Sequence, residues 1–180
     1  MMSEKSMKTS SDGYVLLLSI QPRYAELIFN ETKKAELRRI RPRVDRGDFL
    51  FIYVSSPEKV LLGSCEVKEV RQSSPDSLWK LVNKNSGITK SEFRDYFEGV
   101  STGYAIFIQN VQKFNRPIQL SQLQQQWDGF HPPQSYRYLT IEEVDLIGTM
   151  AKHDMTNIAR RLQPKFQQSE LNVHQISSSK

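Results

Sequence analysis

The sequence predicts an α+β domain: a small, mixed or mostly antiparallel β-barrel decorated by short helices. Three observations carry that expectation. Strand-like stretches rich in aromatic and β-branched residues recur between Gly, Pro and Ser, as in FLFIYVS (residues 49–55) and YAIFIQNVQKF (104–114). Helical spacing is confined to one short segment after the first strand, two segments inserted later and one near the end, so helices do not alternate with strands. No Gly-rich phosphate loop follows a strand, which argues against a doubly wound parallel sheet.

The length, 180 residues, supports one core with tails, and 38% hydrophobic with 25% charged residues is ordinary for a water-soluble domain. Residues 1–13 are polar and read as a disordered tail, 14–150 as the domain, and 151–180 as a partly helical or disordered extension. Residues 14–20 form a continuous apolar run of the kind buried on both faces of a sheet. Pro22 then suits a first helical position, and Tyr24, Leu27 and Ile28 follow at helical spacing. A basic strand comes next, then strands at 49–55 and 60–70. Ser74-Pro75-Asp76 starts one helix, and Thr89 to Glu92 has the capping-box spacing of another, burying Phe93 and Phe97. The sheet resumes at 104–114, with 117–120 as a short edge. Residues 120–131 are Gln-rich, 131–139 (HPPQSYRYL) read as a loop stiffened by proline, and Thr140 to Glu143 caps a helix reaching about Met150.

Charge is distributed unevenly. Residues 33–46, KKAELRRIRPRVDR, hold seven basic and two acidic side chains, a local +5 equal to the formal charge of the whole chain. As a strand, this stretch turns Ala35 and Leu37 one way and Glu36 and Arg38 the other, with Lys33 entering from the turn before. A Lys, a Glu and an Arg on one surface can cradle a phosphate or read a base edge; the same pattern also fits a solvated charged strand face. Arg39, Arg41 and Arg43 suit nonspecific phosphate contact or simple solubility. Tyr53, Ser55 and Ser56 end a strand and offer hydroxyls, although serines there also make turns. In the proline-preceded loop, Gln134, Ser135 and Arg137 offer donors. Trp127 and Phe130 fit the core better than a base platform.

Other classes are argued against. The lone cysteine, Cys65, excludes an internal disulfide and reads as a small buried apolar residue, in keeping with a reducing cytoplasm. His131, His153 and His174 lack metal-ligand spacing, so neither metal nor cofactor is expected. The longest apolar run is far too short to span a bilayer and the N-terminus lacks a signal-peptide hydrophobic region, so a cytoplasmic protein without membrane partners is expected.

Residues 19–39 (SIQPRYAELIFNETKKAELRR), 47–57 (GDFLFIYVSSP), the strand around LLGSCEV, YAIFI and FHPPQSYRYL together resemble an ASCH domain, of the PUA-like β-barrel group. The family signature is Gly-x-Lys-x-x-Glu-x-Arg; here Lys33, Glu36 and Arg38 match, and Glu31 stands where the family has glycine. Glycine permits a positive φ that glutamate resists. The resemblance implies a cleft lined by the signature residues and a ligand that is RNA, another single-stranded nucleic acid or a nucleotide-like molecule. It also implies a rival: some members are hydrolases, including amidohydrolases of acetylated cytidine that use a Lys, a Thr three residues on and a distant Glu. Glu36 occupies that Thr position and no distant Glu is matched, so that chemistry is not carried over. Lys33 and Glu36 remain candidates for electrophile and general base in phosphodiester cleavage. A third reading is a regulator that senses a small anionic ligand.

Overall fold

The structure, a computed structural model, describes residues 13–162; the tail expectations for the remaining residues lie outside it. Six strands form one curled sheet, a half-barrel, in the order β2 (Ala35–Arg38), β5 (Gly103–Gln119), β4 (Val60–Ser73), β3 (Phe49–Val54), β1 (Val15–Ile20) and β6 (Tyr136–Tyr138). β1 pairs in parallel with β3, and every other pairing is antiparallel. The curl resides in β4 and β5, whose register shifts three times between Leu61 and Glu69. Each shift adds local twist. Gly63 lies at one of them, where an added Cβ would sit 2.2 Å from the Gln112 carbonyl and 2.8 Å from the Phe29 ring; only glycine lets β5 approach so closely.

The apolar runs explain the layering. Val15, Leu17 and Phe51 bury against α4 (Leu120–Gln126), α5 (Ile141–Ala151) and α6 (Thr156–Leu162). Leu16, Leu18, Leu50 and Ile52 face the opposite way, onto Ala25 and Ile28 of α1 (Pro22–Phe29) and onto Val44. Both faces of β1 and β3 are therefore dry. A third cluster joins Ala35 and Leu37 of β2 (Ala35–Arg38) to α2 (Pro75–Val82) and α3 (Lys90–Tyr96), with Phe93 and Phe97 buried at the spacing expected of them. Cys65 is buried in the second cluster, and burial pushes its thiol up.

Four details differ from the sequence reading. Residues 117–119 continue β5 rather than forming a separate edge; β2 ends its pairing at Phe107, so Pro117 has β4 on one side only and loses no ladder bond. Within the Gln-rich stretch α4 forms, with the Gln122 side chain accepting the Gln119 N–H (2.9 Å) and Leu123 buried. The loop read at 131–139 contains β6 (Tyr136–Tyr138), three residues that cover the outer edge of β1. Finally, Ala151, Met155 and Ile158 are buried in the first cluster, so residues 151–162 pack against the domain. Arg161 of α6 fastens this end: its Nε donates to the buried Asp48 carboxylate at 2.7 Å.

Candidate functional site

The two sheet edges, β2 and the segment leading into β6, curl toward each other and leave a seam. Arg38 Nη1 crosses it, donating to Ser135 Oγ at 2.7 Å over 97 residues of sequence. The same segment is tied to β1, where Ser19 N–H donates to the Ser135 carbonyl (3.0 Å) and Ser19 Oγ to the Pro133 carbonyl (2.5 Å). A cavity of about 330 Å³ opens at this seam, in the size range of small-ligand pockets. Its polar floor is Lys33, Glu36 and Arg38; α1 and α3 wall it with Tyr24, Glu92 and Tyr96, and Ile20, Leu37 and Ile88 supply apolar surface.

The floor is a chain of charges. β2 alternates as its sequence dictates: Ala35 and Leu37 are buried among α2 and α3, while Glu36 and Arg38 share the other face. Glu36 Oε1 lies 3.1 Å from Arg38 Nη2, and Oε2 lies 3.4 Å from Lys33 Nζ. Lys33 is only 3% exposed. Its ammonium donates to the carbonyls of Ala35 (2.9 Å) and Ser86 (2.7 Å), so with Glu36 all three of its N–H groups face internal acceptors. Lys33 thus braces Glu36 and ties β2 to the turn before α3. Arg38 is the more available cation, its side chain 11% exposed against 4% for that of Lys33; its Nε is buried without a hydrogen-bond partner among the described residues, and its Cζ lies 5.8 Å from the Tyr136 ring centroid.

Helix α3 contributes in a way the sequence did not announce. Thr89 and Glu92 close the expected capping box, and the same Glu92 carboxylate accepts from Arg23 Nη2 of α1 at 2.5 Å, spanning the cavity rim. The Thr89 backbone N–H, then Arg23 and the Thr89 hydroxyl, hold the Glu92 carboxyl down at about 2. Tyr96 donates its hydroxyl to the Leu37 carbonyl (3.2 Å), and burial raises its phenol. The periodicity that flags Phe93 and Phe97 as core carries the signal for Tyr96, which lies on the flank of that stripe, toward the cavity.

The remaining candidates divide. Gln134 lines the cavity, and Ser135 meets Arg38 at the seam. Arg39 lies outside, exposed, donating to the Glu98 carbonyl at 3.1 Å. Tyr53 is 2% exposed within the first core cluster, and burial raises its phenol; it is not among the cavity's lining residues. Ser55 donates its N–H to the Ile20 carbonyl at the strand end, and Ser56 is exposed beyond it; neither lines the cavity. Arg137 points to the opposite face of β6 from Tyr136, pairs with Glu143 of α5 and lies 4.8 Å over the Trp127 ring, and it is not among the cavity's lining residues. Among the described residues no group of three or more His, Cys, Asp or Glu could hold a metal ion, and no helix is long and apolar enough to cross a membrane.

The chain and its fold have counterparts among known proteins. An ASCH domain-containing ribonuclease of Zymomonas mobilis is 31% identical over 127 residues, covering 71% of this chain and 85% of the relative. The crystal structure of ASCH from Zymomonas mobilis superposes with a TM-score of 0.71 at 29% identity, over 76% of this chain and 94% of that one. A Ser→Ala variant of the Zymomonas protein superposes at 0.72 with 28% identity, over 77% and 97% of the two chains. The ASCH domain model matches residues 18–134, from within β1 to the seam residue Gln134, and the chain belongs to the ASCH domain family.

Proposed function

We propose that this chain binds single-stranded RNA, taking one unstacked base or nucleotide into the seam cavity. The observation that carries the reading is the Arg38–Glu36–Lys33 floor beneath aromatic and apolar walls. Glu36 only accepts hydrogen bonds, so it suits the exocyclic amine or ring N–H of a base. Arg38 Nη1 and Nη2 each keep a second N–H beyond those given to Ser135 and Glu36, and these suit an acceptor next to that donor. Tyr24 and Tyr96 offer the ring surface on which single-stranded bases stack. Lys33, Glu36, Arg38, Gln134 and Ser135 are the ligand-contacting or ligand-positioning residues of this proposal.

Hydrolysis is the second reading, favoured by the 31% identity to a protein named as a ribonuclease. In it Glu36 takes a proton from the RNA 2′-hydroxyl as that oxygen bonds to phosphorus, Arg38 stabilises the phosphorane charge, and the bond from phosphorus to the 5′-oxygen breaks as Glu36 returns the proton to that leaving oxygen. One experiment separates the two. Binding of a labelled single-stranded RNA is measured by anisotropy at two salt concentrations, with gel analysis of the same RNA for cleavage, on wild type and Glu36→Gln. Recognition predicts that Glu36→Gln weakens binding roughly 5- to 150-fold, the equivalent of about 1–3 kcal/mol, and shifts base preference. Catalysis predicts multiple turnover by wild type that vanishes in Glu36→Gln with binding intact. Absence of RNA binding by wild type refutes both.

A further inference from the structure

We propose that the RNA strand whose base enters the cavity continues over the outer edge of β6, where Tyr138, Ile40 and Arg43 form a second subsite for the neighbouring nucleotides. This rests on the reading of the cavity as a base site. The cavity and its rim carry little net charge: Lys33 and Arg38 share Glu36, and Arg23 pairs with Glu92, which leaves +1. Outside it, residues 39–46 hold four arginines and one aspartate, a local +3 in a chain whose formal charge is +5. That segment is pinned to β6, because the Arg43 N–H donates to the Tyr138 hydroxyl at 2.7 Å.

The pinned segment brings arginines and an exposed apolar side chain to an aromatic sheet edge. Tyr136 and Tyr138 share one face of β6, their ring centroids 5.9 Å apart, and Tyr138 rests on Tyr14 at 5.3 Å while remaining 38% exposed. Ile40 stands 76% exposed between Arg39 and Arg41, the highest exposure of any large apolar side chain among the described residues. Arg41 is met by Asp45, whereas Arg43 and Arg46 have no acidic partner among the described residues, and Arg39 gives its guanidinium to a neutral carbonyl. Continuity with the cavity runs through Arg38, which lines the one and lies over Tyr136 of the other. Aromatic surface beside uncompensated guanidinium groups suits a flexible polyanion with stackable bases. An acidic peptide satisfies the cations alone and leaves Tyr138 and Ile40 uncovered.

The test is affinity against RNA length. Mono-, di-, tetra- and octanucleotides of mixed sequence are titrated into wild type, Arg43→Gln, Ile40→Ser, Tyr138→Ser and Glu36→Gln, at two salt concentrations. The expected result is an affinity that rises at least about tenfold from mono- to tetranucleotide. Arg43→Gln and Ile40→Ser, both exposed positions, lose about tenfold for the tetranucleotide and nothing for the mononucleotide. Arg43→Gln also lowers the salt slope by about one. A tetranucleotide bound no tighter than a mononucleotide overturns the second subsite while leaving the cavity reading intact. An octanucleotide bound tightly and indifferently to Glu36→Gln supports the outer tract and overturns the cavity reading. Acidic peptides competing as well as RNA overturn the assignment of this surface to nucleic acid.

Discussion

Replacing Lys33 by methionine tests whether this residue braces the site or contacts its ligand. Methionine keeps most of the stem and its packing and deletes the ammonium. At 3% exposure, that deletion strands the Ala35 and Ser86 carbonyls, which accept at 2.9 and 2.7 Å, and removes one of the two cations flanking Glu36. An unsatisfied buried acceptor costs about 1–3 kcal/mol, and breaking a buried ion pair by removing one partner costs about 3–5 kcal/mol. Arg38 still holds Glu36 at 3.1 Å, so the pair is weakened rather than orphaned and these costs overlap. The expected loss is about 3–5 kcal/mol, or a melting temperature lower by roughly 6–20 °C for a domain of this size. Adding Glu36→Gln to Lys33→Met removes the uncompensated carboxylate and recovers about 1–2 kcal/mol, a coupling that a double-mutant cycle reads directly. Thermal and urea melts supply both numbers. A Lys33→Met protein that melts within about 1 kcal/mol of wild type yet fails to bind RNA would refute the bracing role and make Lys33 a ligand contact.

Three further outcomes follow from the same geometry. Glu31, at the family's glycine position, holds φ +60° just past the end of α1, where a side chain costs about 1–2 kcal/mol; Glu31→Gly gives back part of its advantage to the more flexible unfolded chain, so a net gain of about 0.5–1 kcal/mol is expected in thermal melts. Arg161→Gln deprives the buried Asp48 carboxylate of one of its two donors, the Asp45 N–H remaining at 2.8 Å, and lowers the urea midpoint by an amount equivalent to about 1–3 kcal/mol with an unchanged slope. Glu92 is held at about 2 in the fold against an ordinary value of 4.5, so its stabilising contribution is complete above about pH 4.5 and fades as pH falls toward 2; wild type should melt above Glu92→Gln at pH 7, and the two should converge near pH 2.

Much of the fold is written in local sequence. The unbroken apolar run of β1 requires burial on both sides, period two in KKAELRR places Glu36 and Arg38 together and sends Ala35 and Leu37 into the core, and the spacings Thr89–Glu92 and Thr140–Glu143 cap two helices as expected. The signature residues are legible for the same reason: they lie within six positions of one another on a strand and the turn before it. Even the departure at Glu31 is informative, because the positive φ that favours glycine persists without it.

The cavity was decided elsewhere. Lys33 reads as an exposed cation until Ser86, 53 residues away, supplies the carbonyl that buries it. The seam depends on Arg38 meeting Ser135 across 97 residues, and on Ser19 meeting Pro133 across 114. Tyr53 and Arg137 offer polar tips that sequence assigns to a ligand, yet sheet curl turns the first into the core and the alternation of β6 turns the second onto α5. β6 itself has three residues and no strand pattern of its own; it exists because the outer edge of β1 needs partners. Hydrogen-bond propensity and side-chain period act over a few residues and are visible in the chain as written, whereas the direction of a side chain's polar end depends on which distant backbone the curl of the sheet brings within about 3 Å of it.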